Sequence, residues 1–139
     1  MIFKELGLLN FGKFEDKKIE LQDGINLIYG VNEGGKSTIT NFIDGIFYGF
    51  SRDSLARKVR DELFEKSRPW TSNLYRGYII LNDGEEDYRI SRDFDKDEVS
   101  ILNLNTGEDL SNDERNFLYS RIPQPGVIFF ELNRKIYKS

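Results

Sequence analysis

Over the first fifty residues the apolar positions first alternate, then cluster, then recur at helical spacing. Residues 2–9 (IFKELGLL) are apolar and partly alternating, and predict a strand. Asn10-Phe11-Gly12-Lys13-Phe14 reads as a turn. Residues 17–22 (KKIELQ) predict a second strand, closed by the turn pair Asp23-Gly24. Residues 25–29 (INLIY) are a short apolar run ending at Gly30, the pattern of a strand buried inside a sheet. Across 36–48 the period changes. Ile39, Phe42, Ile43, Ile46 and Phe47 fall at i, i+3, i+4, i+7 and i+8, the single apolar face of a helix. Gly45 inside that helix costs about 1 kcal/mol against Ala, which points to close packing there. Gly49 is placed to stop the helix.

The pattern then loses its apolar content. Residues 51–68 (SRDSLARKVRDELFEKSR) read equally as a charged helix or a surface loop, ended by Pro69-Trp70. Residues 74–104 predict a meander of three strands. Leu74–Leu81 runs into the hairpin signal Asn82-Asp83-Gly84. Asp87–Asp93 alternates through Tyr88, Ile90 and Arg92, and Val99–Leu104 alternates before Asn105-Thr106-Gly107. Ser111 followed by Glu114 has the form of a capping box, opening a helix expected to run to about Arg121. Pro123 and Pro125 break the chain, and residues 127–137 (VIFFELNRKIY) form one more apolar element, helix or strand.

Composition narrows the chemistry. The 139 residues suit one domain, 38% apolar and 14% aromatic, which is globular rather than disordered. Twenty basic and 24 acidic side chains leave a net charge of −4, against coating nucleic acid through overall charge. The chain has no Cys and no His. That excludes disulfides, thiol nucleophiles, Ser-His-Asp triads and Cys- or His-ligated metals. Chemistry must come from carboxylates, Lys and Arg, hydroxyls, backbone amides and a bound hard cation. No apolar run approaches a membrane span, and the N-terminus lacks a signal-peptide pattern, so the expectation is a cytoplasmic protein without a membrane partner.

Gly30-Val31-Asn32-Glu33-Gly34-Gly35-Lys36-Ser37-Thr38 satisfies G-x-x-x-x-G-K-[ST], between a predicted buried strand and an amphipathic helix. Gly30, Gly34 and Gly35 let the backbone approach a polyphosphate. Successive amides then make an anion nest at the helix N-terminus. Lys36 supplies a cation for the β- and γ-phosphates. The Ser37 hydroxyl suits a Mg²⁺ bridging to phosphate oxygens, and Thr38 can donate to the α-phosphate.

The stretch from IFKELGLLNFGKF through GINLIYGVNEGGKSTITNF resembles the N-terminal half of an ABC-type ATPase head, in particular coiled-coil ATPases of the SMC and SbcC kind and their YhaN-like bacterial group. RPW, YRGYIIL and YRISRDF at 68–94 resemble that family's following β-region; Val31 stands where Pro is usual. The resemblance implies an α/β P-loop NTPase fold, with a mixed or antiparallel β-region packed around the phosphate-loop helix. It implies ATP and Mg²⁺ as cofactors. It also implies that Lys13 reaches toward nucleotide, that Asn32 lies by the γ-phosphate and the partner head, and that one of Arg52, Arg57 and Arg60 is a candidate for nucleotide or DNA.

Hydrolysis also needs a carboxylate near Mg²⁺ and a group that orients water. Tyr78–Asp83 and Val127–Glu131 are apolar runs ending in acid, but the first reads as a hairpin and the second as core packing. The chain has no LSGG-like motif, and Gln124 between two prolines does not read as a glutamine loop. In the family the signature motif and acidic pair follow a long coiled coil. The resemblance therefore implies a fragment whose partners are the C-terminal half of its own head, a second head, DNA and a nuclease subunit. Such a piece is expected to be inactive alone, in a DNA-repair or chromosome-maintenance ATPase. A small P-loop kinase or GTPase, or a degenerate P-loop interaction module, are the alternatives.

Overall fold

The computed structural model describes residues 2–21, 33–50 and 57–121, giving the backbone course alone at 33–37, 57–60 and 63. Strands β1 (Ile2–Phe11) and β2 (Phe14–Glu20) precede helices α1 (Glu33–Tyr48) and α2 (Arg57–Lys66). Strands β3 (Arg76–Asn82), β4 (Asp87–Asp93), β5 (Glu98–Asn103) and β6 (Glu108–Asp109) follow, then helix α3 (Asn112–Ser120). The strands form one sheet in the order β2-β1-β3-β4-β5-β6, antiparallel at every junction. The elements expected at 25–29 and 127–137, the Asp23-Gly24 turn, and Gln124 with its flanking prolines lie outside the described residues.

One buried row crosses the sheet. Ile19 pairs with Leu6, Leu6 with Ile79, Ile79 with Ile90, and Ile90 with Ile101. All five side chains are buried. β1 holds more core residues than strict alternation allows. Its pairing with β3 shifts register between Phe3 and Glu5 and again between Gly7 and Asn10. Each extra residue flips the side-chain parity, so Phe3, Leu6, Leu8 and Phe11 are all buried despite two three-residue spacings.

The apolar face of α1 lies on this row, with Ile39, Phe42, Ile43, Ile46 and Phe47 at 1% exposure or less. Gly77 of β3 sets the closeness of approach. A Cβ there would lie 2.2 Å from the Phe42 ring. Gly45 meets Phe50 and Phe94 in the same way, as its place in the helix implied. Phe11 contacts Phe42 edge-on at 5.1 Å and Phe94 at 5.2 Å, and Phe94 contacts Tyr75 at 4.9 Å. Tyr75 continues this aromatic cluster to Phe64 of α2 and donates its hydroxyl to the Phe64 carbonyl at 2.9 Å. Burial holds the Tyr75 phenol protonated far above its ordinary range. These contacts decide the ambiguous 51–68 stretch in favour of a helix at 57–66.

The C-terminus of α1 ends on a buried cation. Arg92 of β4, 9% exposed, donates from Nε to the Ile46 carbonyl at 2.9 Å and from Nη2 to the Phe47 carbonyl at 3.4 Å. Its Nη1 pairs with Asp97 at 3.0 Å. A cation there complements the helix dipole and satisfies carbonyls that the helix cannot. Gly49 follows at φ +70°, its N–H returning to the Gly45 carbonyl at 2.7 Å, the stop that its position predicts.

The hairpins close as their turn residues predict. Asp83 accepts the N–H groups of Glu85 and Glu86 at 2.9 and 2.8 Å and pairs with Arg121 at 3.3 Å. β6 is two residues long and follows the Asn105-Thr106-Gly107 turn. Ser111 accepts the Glu114 N–H while the Glu114 carboxylate accepts the Ser111 N–H, a complete capping box.

Two outcomes follow. Arg92→Met leaves the α1 carbonyls without their charged donor and should cost about 2–3 kcal/mol in urea unfolding. Arg92→Lys should recover little, because an ammonium cannot fork between two carbonyls and Asp97. The second concerns acid. Burial works to raise the Asp83 carboxyl, but the Glu86 and Glu85 amides and Arg121 outweigh it and hold it below the ordinary range. The Asn82 amide does the same for Asp87, against a smaller effect of burial, with help from Lys4. A carboxyl depressed in the fold contributes stability above its unfolded value of about 3.9 and loses it as pH falls further. The melting temperature should therefore drop below about pH 4, and less steeply in Asp83→Asn/Asp87→Asn.

Candidate functional site

The Gly-rich motif begins its helix earlier than periodicity predicts. α1 starts at Glu33, so Gly34, Gly35, Lys36 and Ser37 are already in its first turns. An apolar-periodicity reading starts at 36 because those turns carry no apolar side chain. The first amides of a helix have no intrahelical acceptor and point outward along its axis. The backbone of Glu33–Ser37 is the opening of a helix, the kind of terminus that suits an anion. Gly30 and Asn32 lie outside the described residues, as does Arg52. Arg57 and Arg60 fall on α2, which is described there as backbone alone. Thr38 is half-buried at the start of the core-facing stretch of α1.

Lys13 lies in the β1–β2 turn, next to Gly12. Phe11 pairs with Phe14, leaving Gly12 and Lys13 as a two-residue turn. The turn is tighter than expected, because Asn10 and Phe11 belong to β1 and Phe14 opens β2. Gly12 adopts φ +56°, and a Cβ on it would lie 3.2 Å from Thr38 Cγ2. The structure thus brings the Gly12-Lys13 turn against the first turns of α1. The Lys13 ammonium stands 5.8 Å from the Phe14 ring.

The same turn forms one wall of a cavity of about 150 Å³. Pro69, Trp70 and Ser72, from the segment between α2 and β3, form the other. That segment is tied to β1. Gly12 donates its N–H to the Ser67 carbonyl at 2.6 Å, and Asn10 Nδ2 donates to Ser72 Oγ at 3.4 Å. Asn10 is itself held by Arg76 Nε at 3.2 Å. Trp70 is 95% exposed. Sequence pattern treated it as the end of a charged stretch. The signal available was a lone tryptophan followed by Thr71-Ser72-Asn73 rather than by apolar residues. A larger hollow of about 430 Å³, lined by Tyr78, Ser91 and Ser100, lies on the sheet face away from α1.

The acidic run at the end of β3 does not serve the site. Asp83 is engaged by two amides and Arg121 inside the hairpin, which bears out the turn reading. Val127–Glu131 falls outside the described residues. Among the described residues no helix is long and apolar enough to cross a membrane.

An antiparallel sheet carrying a helix whose first turns hold Gly34-Gly35-Lys36-Ser37, the end of a G-x-x-x-x-G-K-S motif, fits a P-loop type of nucleoside-triphosphatase lobe. Residues 5–132 match the AAA domain family, and the chain belongs to it. It is 36% identical over 92 residues to the DNA double-strand break repair Rad50 ATPase of Archaeoglobus fulgidus, covering 66% of this chain and 10% of that protein. It is 28% identical over 75 residues to the uncharacterised protein YhaN of Bacillus subtilis, covering 53% and 7%. It is 26% identical over 114 residues to the DNA replication and repair protein RecF of a Thermoanaerobacter species, covering 82% and 30%. The resemblance to the N-terminal region of SMC- and SbcC-like ABC-class ATPases is thereby borne out. The chain spans from under a tenth to about a third of the length of these relatives.

The turn packing makes its own forecast. At φ +56° a β-branched residue is strained by about 1–2 kcal/mol, whereas Asn tolerates the left-handed region. Gly12→Val should lose at least that much stability in urea unfolding, through strain and pressure on Thr38, and Gly12→Asn distinctly less.

Proposed function

We infer that this protein binds ATP with Mg²⁺ as the N-terminal part of an SMC- or Rad50-like ATPase head working in DNA repair. The observation that carries the reading is the placement of Glu33–Ser37, which includes the motif's Lys36 and Ser37, in the opening turns of α1. In this reading Gly30, Gly34 and Gly35 let the triphosphate lie close to the backbone. Lys36 neutralises the β- and γ-phosphates, Thr38 donates to the α-phosphate, and Lys13 approaches from the adjoining turn. Asn32 faces the γ-phosphate side. Ser37 would hold Mg²⁺, whose chemistry is to bridge phosphate oxygens and offset their charge.

Hydrolysis belongs to the assembled head. The water-orienting carboxylate and the signature motif would come from the C-terminal half and from a second head, with ATP held between the two. Closure of that sandwich is the step that would couple nucleotide to DNA and to a nuclease partner. The Rad50 relatives are DNA double-strand break repair ATPases, and the shared N-terminal region supports extending that role here.

Titration calorimetry with Mg-ATP tests the reading. The wild-type chain should release heat with weak affinity, and Lys36→Ala should weaken binding about tenfold or more. A sensitive phosphate-release assay should find no turnover by the chain alone. Turnover that disappears in Lys36→Ala would overturn the division of labour.

A further inference from the structure

In the proposed function Lys13 approaches the nucleotide from the β1–β2 turn, yet the sheet alone does not hold that turn in place. β2 is an edge strand, and most of it is exposed. The Gly12-Lys13 turn lies at the end of that edge hairpin. Its ties come from the segment between α2 and β3. Gly12 donates its N–H to the Ser67 carbonyl at 2.6 Å, and Asn10, just before the turn, donates to Ser72 Oγ at 3.4 Å. We propose that the Tyr75 hydroxyl is a positioning group for nucleotide binding, acting through Ser67 on the Gly12-Lys13 turn; this rests on reading Lys13 and Gly30–Thr38 as nucleotide contacts.

Tyr75 is placed for that task. It is buried, and its ring packs among Phe11, Phe64 and Phe94, which fixes where the hydroxyl stands. The hydroxyl donates to the Phe64 carbonyl at 2.9 Å and accepts from the Ser67 hydroxyl. Ser67 is buried as well. Its side chain meets the phenol and its carbonyl meets Gly12, so one residue joins the aromatic core to the backbone of the turn. The core needs the ring but not the oxygen, since phenylalanine would fill the same space. A polar atom in an aromatic cluster is costly unless it is bonded, and both bonds here go to the end of α2 and the residue after it. Arg68 closes the same cluster from outside. Its guanidinium lies 4.7 Å from the Phe64 ring and 5.6 Å from the Tyr75 ring, and it pairs with Asp95 at 3.0 Å. Two successive residues are thus pinned beside Gly12. A lysine whose backbone is already held loses less freedom when a ligand arrives, and that saving appears as affinity.

Calorimetry with Mg-ATP on the full chain tests the relay through a double-mutant cycle. Tyr75→Phe removes one oxygen and keeps the ring, and Ser67→Ala breaks the same link from the other side. Each should weaken Mg-ATP about three- to tenfold, and Lys13→Ala about tenfold. In the Lys13→Ala background neither should weaken it further, because the relay acts only through that turn. Loss of stability by itself would not give this pattern. Ile101→Val, in the core of β5, should lower the urea midpoint and bind Mg-ATP as the wild type does. Ser67→Ala carries the cycle alone if Tyr75→Phe does not fold. If a folded relay variant binds Mg-ATP like the wild type, or if its loss adds in full to that of Lys13→Ala, the relay is wrong and the phosphate cradle stands. Unchanged affinity in Lys13→Ala overturns the relay as well. If the wild-type chain does not bind Mg-ATP, both readings fall.

Discussion

The contact of Phe42 with Gly77 fixes the height and register of α1 over the sheet, and the other features of the site depend on it. A side chain at Gly77 would have to occupy the Phe42 ring. With the helix seated there, Gly77's cross-strand partner Arg92 stands under the α1 C-terminus, within reach of the Ile46 and Phe47 carbonyls. Phe11 meets Phe42 from β1, and the turn that follows Phe11 comes to rest against Thr38. One apolar notch in the third strand thereby decides where the Gly-rich end of the helix sits relative to Lys13.

The two ends of α1 are electrically opposite, and the fold treats them so. Arg92 places a buried positive charge at the carbonyl end, where the helix dipole is negative. At the amide end the first helical N–H groups have no intrahelical acceptor, which is where a helix favours an anion. A net charge of −4 does not oppose this, because helix-terminal amides act at contact distance whereas distant surface charge is screened. In the proposed reading, polyphosphate affinity is a local property of one helix terminus.

Where side-chain period and turn chemistry agree, the sequence already showed the element. Asn82-Asp83-Gly84, Asn105-Thr106-Gly107, the Ser111–Glu114 capping box and the apolar stripe of α1 all formed where expected. β1 was harder to bound, because two register shifts break its alternation at Phe3–Leu6 and Leu8–Phe11. β2 began earlier than apolar content suggested. Its first residues, Phe14-Glu15-Asp16-Lys17-Lys18, sit on an edge strand that is polar apart from Phe14 and Ile19. The helix within 51–68 was undecided because its stability comes from elsewhere, from Phe64 stacked on Tyr75 and from the Tyr75 hydroxyl on its last turn. The phosphate motif was visible as a string of residue types. The approach of Gly12 to Thr38 and the exposure of Trp70 are tertiary facts, created by chain segments that no local pattern links.

The fate of Asp83 bears on why binding and hydrolysis separate in the proposed reading. It ends an apolar strand next to the strand that carries the Lys13 turn, a place where a metal-associated carboxylate would be sought. Two backbone amides and Arg121 hold it, so its charge already stabilises the hairpin. A carboxylate held that way makes a poor base, since its proton affinity is lowered and its lone pairs are engaged. In the proposed reading Asp83 therefore serves the hairpin, and activation of water falls to another group. Binding that does not favour the transition state over the bound nucleotide would not speed cleavage, so in that reading binding and hydrolysis can reside in different parts of an assembled head.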